Sequence, residues 1–118
     1  MKNWREILID SDTSILSSLE IIDKGALQIA LVVDSDHKLQ GTVTDGDIRR
    51  GILRGISLES SVRHVMQTAP ITASVNESKE DILAKMKLKA LRHIPVVDIE
   101  GRVVKIELLE QLIQSRKK

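Results

Sequence analysis

Apolar positions along this chain fall into two rhythms that alternate. Ile15, Leu16, Leu19 and Ile22 recur at helical spacing up to Gly25, and the polar start at Asp12-Thr13 predicts a helix over 13–24. Ile29-Ala30-Leu31-Val32-Val33 is a continuous apolar run suited to a buried strand, closed by the turn Asp34-Ser35-Asp36-His37-Lys38. Leu39 to Thr44 reads as the returning strand of a hairpin. Asp45-Gly46-Asp47 then opens a second helix over Ile48 to Leu53, ending near Gly55.

The same order returns further on. Ser78, with Asp81 three residues later, resembles a capping box before a helix carrying Ile82, Leu83, Met86 and Ala90. Ile94-Pro95-Val96-Val97 is the next strand, Glu100-Gly101 the turn, Arg102 to Ile106 the return strand, and Glu107 to Gln114 the closing helix. Short extended pieces, Ile7-Leu8-Ile9 and Ile71-Thr72-Ala73, stand in front of each set. Val62, Val65 and Met66 at helical spacing predict a short connecting helix within Ser57 to Gln67.

These two sets are one motif written twice. An offset of 64 positions, as from Asp34 to Asp98, lays Ile7 to Ile48 on Ile71 to Leu112 without a gap. Leu19 meets Leu83, Ala26 meets Ala90, Leu27 meets Leu91, and Val32-Val33-Asp34 meets Val96-Val97-Asp98. Two copies are too few for a solenoid, so the expectation is a pseudo-two-fold unit whose halves bury their apolar faces together, with function in the cleft between them. Neither half is large enough to bury a stable core alone. The fold class is α/β (α+β), each copy running helix, strand, strand, helix behind a short leading strand. The expected division is 1–56, a connecting helix over 57–68, and 69–118.

Composition narrows the chemistry. The 118 residues carry 18 basic and 17 acidic side chains, a net charge of +1, which argues against nucleic acid or an anionic membrane as partner. Arg116-Lys117-Lys118 reads as a solvated tail. The absence of cysteine removes disulfides, thiolate metal sites and thiol nucleophiles together, and fits a reducing compartment. With neither a bilayer-spanning apolar stretch nor a signal-peptide core in Met1-Lys2-Asn3-Trp4-Arg5-Glu6, the expected location is the cytoplasm. Trp4 is the sole aromatic residue, so the core is aliphatic and a flat ligand would lie between aliphatic walls instead of stacking on rings.

The run apolar-Val-Val-Asp, a short turn, then Gly41-Thr42-Val43-Thr44-Asp45-Gly46-Asp47-Ile48 resembles the motif of cystathionine-β-synthase (CBS) domains. That motif runs glycine, two apolar or β-branched residues, Thr or Ser, two further residues, then Asp. Such domains come in tandem pairs, and Arg92-His93-Ile94-Pro95-Val96-Val97-Asp98 resembles the corresponding strand of many second members. The chain is most similar to the regulatory pair that precedes a sugar-phosphate nucleotidyltransferase domain: Trp4-Arg5 before an apolar triplet, the first motif continuing to Arg49-Arg50-Gly51, and Pro70-Ile71-Thr72-Ala73 carry that likeness. A Thr-Asp-Gly-Asp stretch also occurs in CBS pairs of sugar-phosphate isomerases.

The resemblance implies an adenine or related purine nucleotide (AMP, ADP or ATP) held between the motifs as a regulatory ligand, with no catalytic cofactor. In that role Asp47 accepts from both ribose hydroxyls, Thr44 and the helix N-terminus behind it serve phosphate, and Gly41, beside Thr42, leaves room for close approach. Ile29, Ala30, Pro70, Ile71 and Thr72 would wall the base; Arg49, Arg92 and His93 are phosphate candidates, Arg92 foremost because its charge is permanent. Plainer roles stand beside these. Asp47 in a first helical turn also complements the helix dipole, Thr44 caps, Arg49, Arg50 and Arg54 line a solvated helix face, and His93 is a satisfied imidazole. His37 and His64 read as turn and surface residues.

At the positions 64 residues beyond Gly41, Thr44 and Asp47 stand Lys105, Leu108 and Gln111. Leucine has no hydrogen bond for a phosphate and glutamine no charged acceptor for a diol, so the second site is expected to be degenerate, Lys105 still offering a cation. No glycine-rich phosphate loop, metal-ligand cluster or nucleophilic triad supports catalysis, and Asp34, Asp36 and His37 are ordinary turn chemistry. Two classes of function remain: a nucleotide sensor that biases an attached or partner enzyme, and an association module whose helical faces pair two copies into a homodimer around a vestigial site.

Overall fold

A computed structural model describes residues 4–25 and 27–116. Met1-Lys2-Asn3, Ala26 and the Lys117-Lys118 end of the basic tail lie outside the described residues, as does the Ala26 half of the Ala26/Ala90 match. The chain forms two compact units, Met1–Pro70 and Ile71–Lys118.

In the first unit a 3-10 turn (Trp4–Ile7) leads to β1 (Leu8–Ile9), α1 (Ile15–Gly25), β2 (Ile29–Val33), β3 (Leu39–Thr44) and α2 (Asp45–Leu53). The second contains β4 (Ala73–Ser74), α3 (Lys79–Leu88), β5 (His93–Val97), β6 (Val103–Leu108) and α4 (Leu109–Arg116). Each builds a three-stranded sheet, β1-β2-β3 and β4-β5-β6, with a parallel first pair and an antiparallel hairpin.

The 64-residue repeat survives as a repeat of register. Ile9 pairs with Val32 as Ala73 pairs with Val96; Leu31 faces Thr42 as Pro95 faces Ile106. Both hairpins shift register at the same place, between Val32 and Val33 and between Val96 and Val97. Their turns are built alike. The Asp34 carboxylate accepts from the amides of Asp36 (2.8 Å) and Lys38 (3.0 Å), and Asp98 does the same for Glu100 and Arg102, both at 2.9 Å. This is the aspartate turn in which a side chain replaces a backbone acceptor. His37 (φ 66°) sits in the left-handed conformation that Gly101 (φ 88°) takes in the second copy.

Each unit has its own aliphatic core. Ile9, Ile15, Ile22, Ala30, Val32, Val43, Ile48, Val62 and Val65 pack together in the first; Ala73, Ile82, Leu83, Met86, Ile94, Val96 and Leu112 in the second. All five residues of β2 are buried, as its unbroken apolar run predicts.

Several boundaries differ from the sequence expectation. α1 starts at Ile15, because the Ser14 hydroxyl accepts the Ser17 amide at 3.0 Å. β6 continues through Glu107 and Leu108, which face Ile94 and His93, so α4 begins two residues later than predicted. Ala90 lies beyond α3 with φ 57°.

The connecting helix expected over 57–68 does not form: only Val62–His64 make a 3-10 turn, capped by the Ser61 hydroxyl. The backbone of this segment is committed elsewhere. Carbonyls of Ser60 and Leu58 accept the first amides of α1, Ile15 at 2.8 Å and Leu16 at 2.9 Å, and the Val62 amide donates to Thr13 O at 2.9 Å. The Leu58 and Ser60 carbonyls that an internal helix would use are thus committed to α1 instead. Its helical spacing of Val62 and Val65 instead places both in the first core.

Candidate functional site

The chemistry in the first unit gathers where β3 becomes α2. Thr44 is the last residue of the strand and the N-cap of the helix, with extended backbone (φ −122°, ψ 170°). Its hydroxyl accepts the Asp47 amide at 3.3 Å while the Asp47 carboxylate reaches back to the Thr44 amide at 3.0 Å, a reciprocal capping box. Asp47 is therefore both a cap and a carboxylate held in a fixed orientation, and it is only 4% exposed.

Four donors converge on that carboxylate. Oδ2 accepts from the Thr44 amide and, at 3.1 Å, from the Thr44 hydroxyl; Oδ1 accepts from Arg50 Nη2 at 2.8 Å and Gln67 Nε2 at 3.1 Å. Arg50 and Gln67 were not among the candidates read from sequence. Arg50 follows Asp47 by three residues, the spacing of facing helix neighbours, so its approach was legible. Gln67 was not, because only the path of the connector brings it there.

Gly41 explains that path. A Cβ on Gly41 would stand 2.6 Å from the Gln67 carbonyl oxygen and 3.0 Å from Met66 Sδ. The space beside Gly41, expected to receive ligand, is filled by the connector. Next to it Thr42, buried, donates its amide to Gln67 O (3.1 Å) and accepts the Gln67 amide (2.8 Å).

Ile29 faces Thr44 across the hairpin and Ala30 faces Val43, both buried, so these two wall residues do lie beside the cap. Pro70, half-buried, ends the first unit. Arg49 belongs to a different face: with Glu20, Asp23 and Asp45 it rims a groove between α1 and α2 whose floor includes Leu19 and Ile48.

The remaining candidates lie in the second unit. Ile71 is exposed, and the Thr72 carbonyl accepts the Lys85 ammonium at 3.0 Å. Lys85 also pairs with Glu77 at 2.9 Å, and Glu77 in turn accepts the Ser74 amide at 2.9 Å. The Ser74 amide and then the Lys85 side chain hold the Glu77 carboxyl below its ordinary pKa. Arg92 is exposed, with a long contact of 3.7 Å to Glu110, while its carbonyl accepts the first amide of α4. His93 opens β5 opposite Leu108.

No group of three or more His, Asp or Glu side chains suited to a metal occurs among the described residues, and none of their helices is long and apolar enough to cross a membrane.

Comparison with known proteins agrees with this architecture. Residues 4–54 and 62–106 match the CBS domain model, so the chain belongs to the CBS domain family as a tandem pair, a regulatory module. An uncharacterized protein of Rickettsia prowazekii is 35% identical over 99 residues, 83% of this chain and 31% of that protein. Arabinose 5-phosphate isomerase GutQ of Escherichia coli is 28% identical over 105 residues, 86% of this chain and 32% of the isomerase. The chain thus spans about a third of the length of these curated relatives. Among solved structures, the CBS domain pair of protein MJ0100, in complex with 5′-methylthioadenosine and S-adenosyl-L-methionine, superposes with a TM-score of 0.79 at 28% identity, covering 95% of this chain and 90% of that one.

Proposed function

We propose that the first unit binds an adenine nucleotide or another adenosine compound at Thr44 and Asp47, and that the pair thereby regulates an enzyme acting on sugar phosphates, a nucleotidyltransferase attached to it or associated with it in the cytoplasm. The observation that carries this reading is the buried Asp47 carboxylate oriented beside the Thr44 hydroxyl at the start of α2. A carboxylate is the compact acceptor for vicinal ribose hydroxyls, and the helix N-terminus favours phosphate. The adenosine ligands of the MJ0100 pair and the sugar-phosphate chemistry of GutQ support the two halves of the proposal. Regulation would follow from differential affinity of the ligand for two arrangements of the attached enzyme.

Calorimetric titration with AMP, ADP, ATP, GTP and CMP, alongside Asp47→Asn, is the test. Saturable binding near one per chain that falls at least tenfold in the variant is expected; equal affinity in the variant overturns the assignment. Adding Arg92→Ala and Thr72→Val reports whether residues of the second unit join the site, as the family resemblance implies.

A specific surface favours a companion role in association. Leu53 (80% exposed) and Ile52 line the α1–α2 groove, which acidic Glu20 and Asp23 and basic Arg49 rim together. Both charges on one apolar face allow it to pair with itself across a two-fold axis. Sedimentation of the wild-type chain as a dimer, and of Leu53→Asp as a monomer, is the expected result; a monomeric wild type refutes it.

A further inference from the structure

An ionised aspartate offers about four lone-pair positions, and all four on Asp47 are occupied by the chain itself. Two ribose hydroxyls need two of them. The donors are unequal in how easily they leave. Those on Oδ2, the amide and hydroxyl of Thr44, are part of the capping box, and moving them breaks the start of α2. Those on Oδ1 are the ends of two long, exposed side chains, Arg50 and Gln67.

We propose that Arg50 and Gln67 form an internal latch that mimics the ligand's diol on Asp47 Oδ1, so that binding proceeds by displacing both. This rests on the binding role proposed for Asp47 and adds its regulation. The latch sets affinity, because every ligand competes with two donors already in place. It also carries a message. Gln67 is held by its backbone to Thr42, in the connector that leads to the second unit, so a diol that takes its place on Asp47 changes the bonding of a connector residue.

Gln67→Ala removes the side-chain donor and keeps the backbone pairing with Thr42, and Arg50→Ala removes a mostly exposed side chain, so neither substitution touches the core. Adenosine is the probe, because it carries the diol without a phosphate that Arg50 would attract. Each variant is expected to bind adenosine about two- to fivefold tighter than wild type, and the double variant about tenfold tighter, the scale of releasing exposed partners. Asp47→Asn in the double background should cancel the gain.

Wild type that binds adenosine with unchanged or weaker affinity in the variants overturns the latch and leaves the binding role standing. Binding seen only in the variants establishes both, with the latch closed in the resting protein. If neither wild type nor the double variant binds adenosine, the latch is overturned, and the titration with AMP, ADP and ATP, in which phosphate also contributes, decides the binding role by itself.

Discussion

The closing helix of the first unit starts on Thr44 and Asp47, and that of the second on Leu108 and Gln111, although the two hairpins behind them share one register and one bulge. The repeated backbone therefore does not depend on the polar pair. What repeats is the apolar pattern and the aspartate turn, which suffice to close a three-stranded sheet under two helices. The capping box is an addition in one copy, where it fixes a carboxylate as well as a helix start.

The units also differ in how they anchor the chain ahead of their first helices. In the first, the connector supplies the partners: Ser61 Oγ donates to Ser11 O, and Val62 donates its amide to Thr13 O. In the second, charge performs this work through Lys85, Glu77 and the backbone of Thr72 and Ser74. Ile21 and Thr13 occupy the positions of Lys85 and Glu77 in the first copy. The first motif is thus tied down mainly by the backbone and hydroxyl of the connector, with an exposed Arg63–Asp12 pair beside them, and the second by the partly buried pair of Lys85 and Glu77.

Six substitutions, arranged as four comparisons, turn this contrast into measurements. Writing the second unit's residues into the first, as Thr44→Leu with Asp47→Gln, should weaken adenosine binding by at least about 100-fold, about 2.7 kcal/mol, with the circular dichroism spectrum retained. A transplant that binds like wild type would mean the difference between the units has no functional content.

Gly41→Lys copies Lys105 into a position where a Cβ meets the Gln67 carbonyl at 2.6 Å. Overpacking of this kind costs about 1–3 kcal/mol, read as a lower urea midpoint. The reverse change, Lys105→Gly, falls on an exposed strand position and should cost about 1 kcal/mol or less. Equal losses would remove the connector as the reason for the glycine.

Glu77→Gln should destabilise by about 0.5–1 kcal/mol at neutral pH, the scale of a partly exposed ion pair with an added hydrogen bond. Because folding lowers the Glu77 pKa, its contribution is present above the unfolded-state value and disappears as pH falls through the native one. Wild type and variant should accordingly converge in acid, below the ordinary glutamate value of about 4.3. A gap that persists at pH 2 would assign the effect to packing.

The smallest effect belongs to Arg92→Ala. Its contact with Glu110 is long and exposed, and thermal unfolding should change by less than about 0.5 kcal/mol. A larger loss would point to a partner for Arg92 beyond Glu110.

Much of this protein was decided locally. The buried β2 strand, the aspartate turns, the Ser78 cap and the Thr44–Asp47 pair each follow from residues within a few positions of one another, where periodicity and side-chain-to-backbone hydrogen bonds act. The repeat was equally legible, since a shared apolar pattern demands a shared register. Tertiary structure decided the rest. Helical spacing of Val62 and Val65 suggested a helix, but the carbonyls beneath it were needed to cap α1, and satisfying a helix end 42 residues away in sequence outweighed local propensity. That same detour brings Gln67 against Gly41 and Asp47, so the meaning of the glycine and the saturation of the carboxylate came from a contact between distant segments, which no local pattern of side chains encodes.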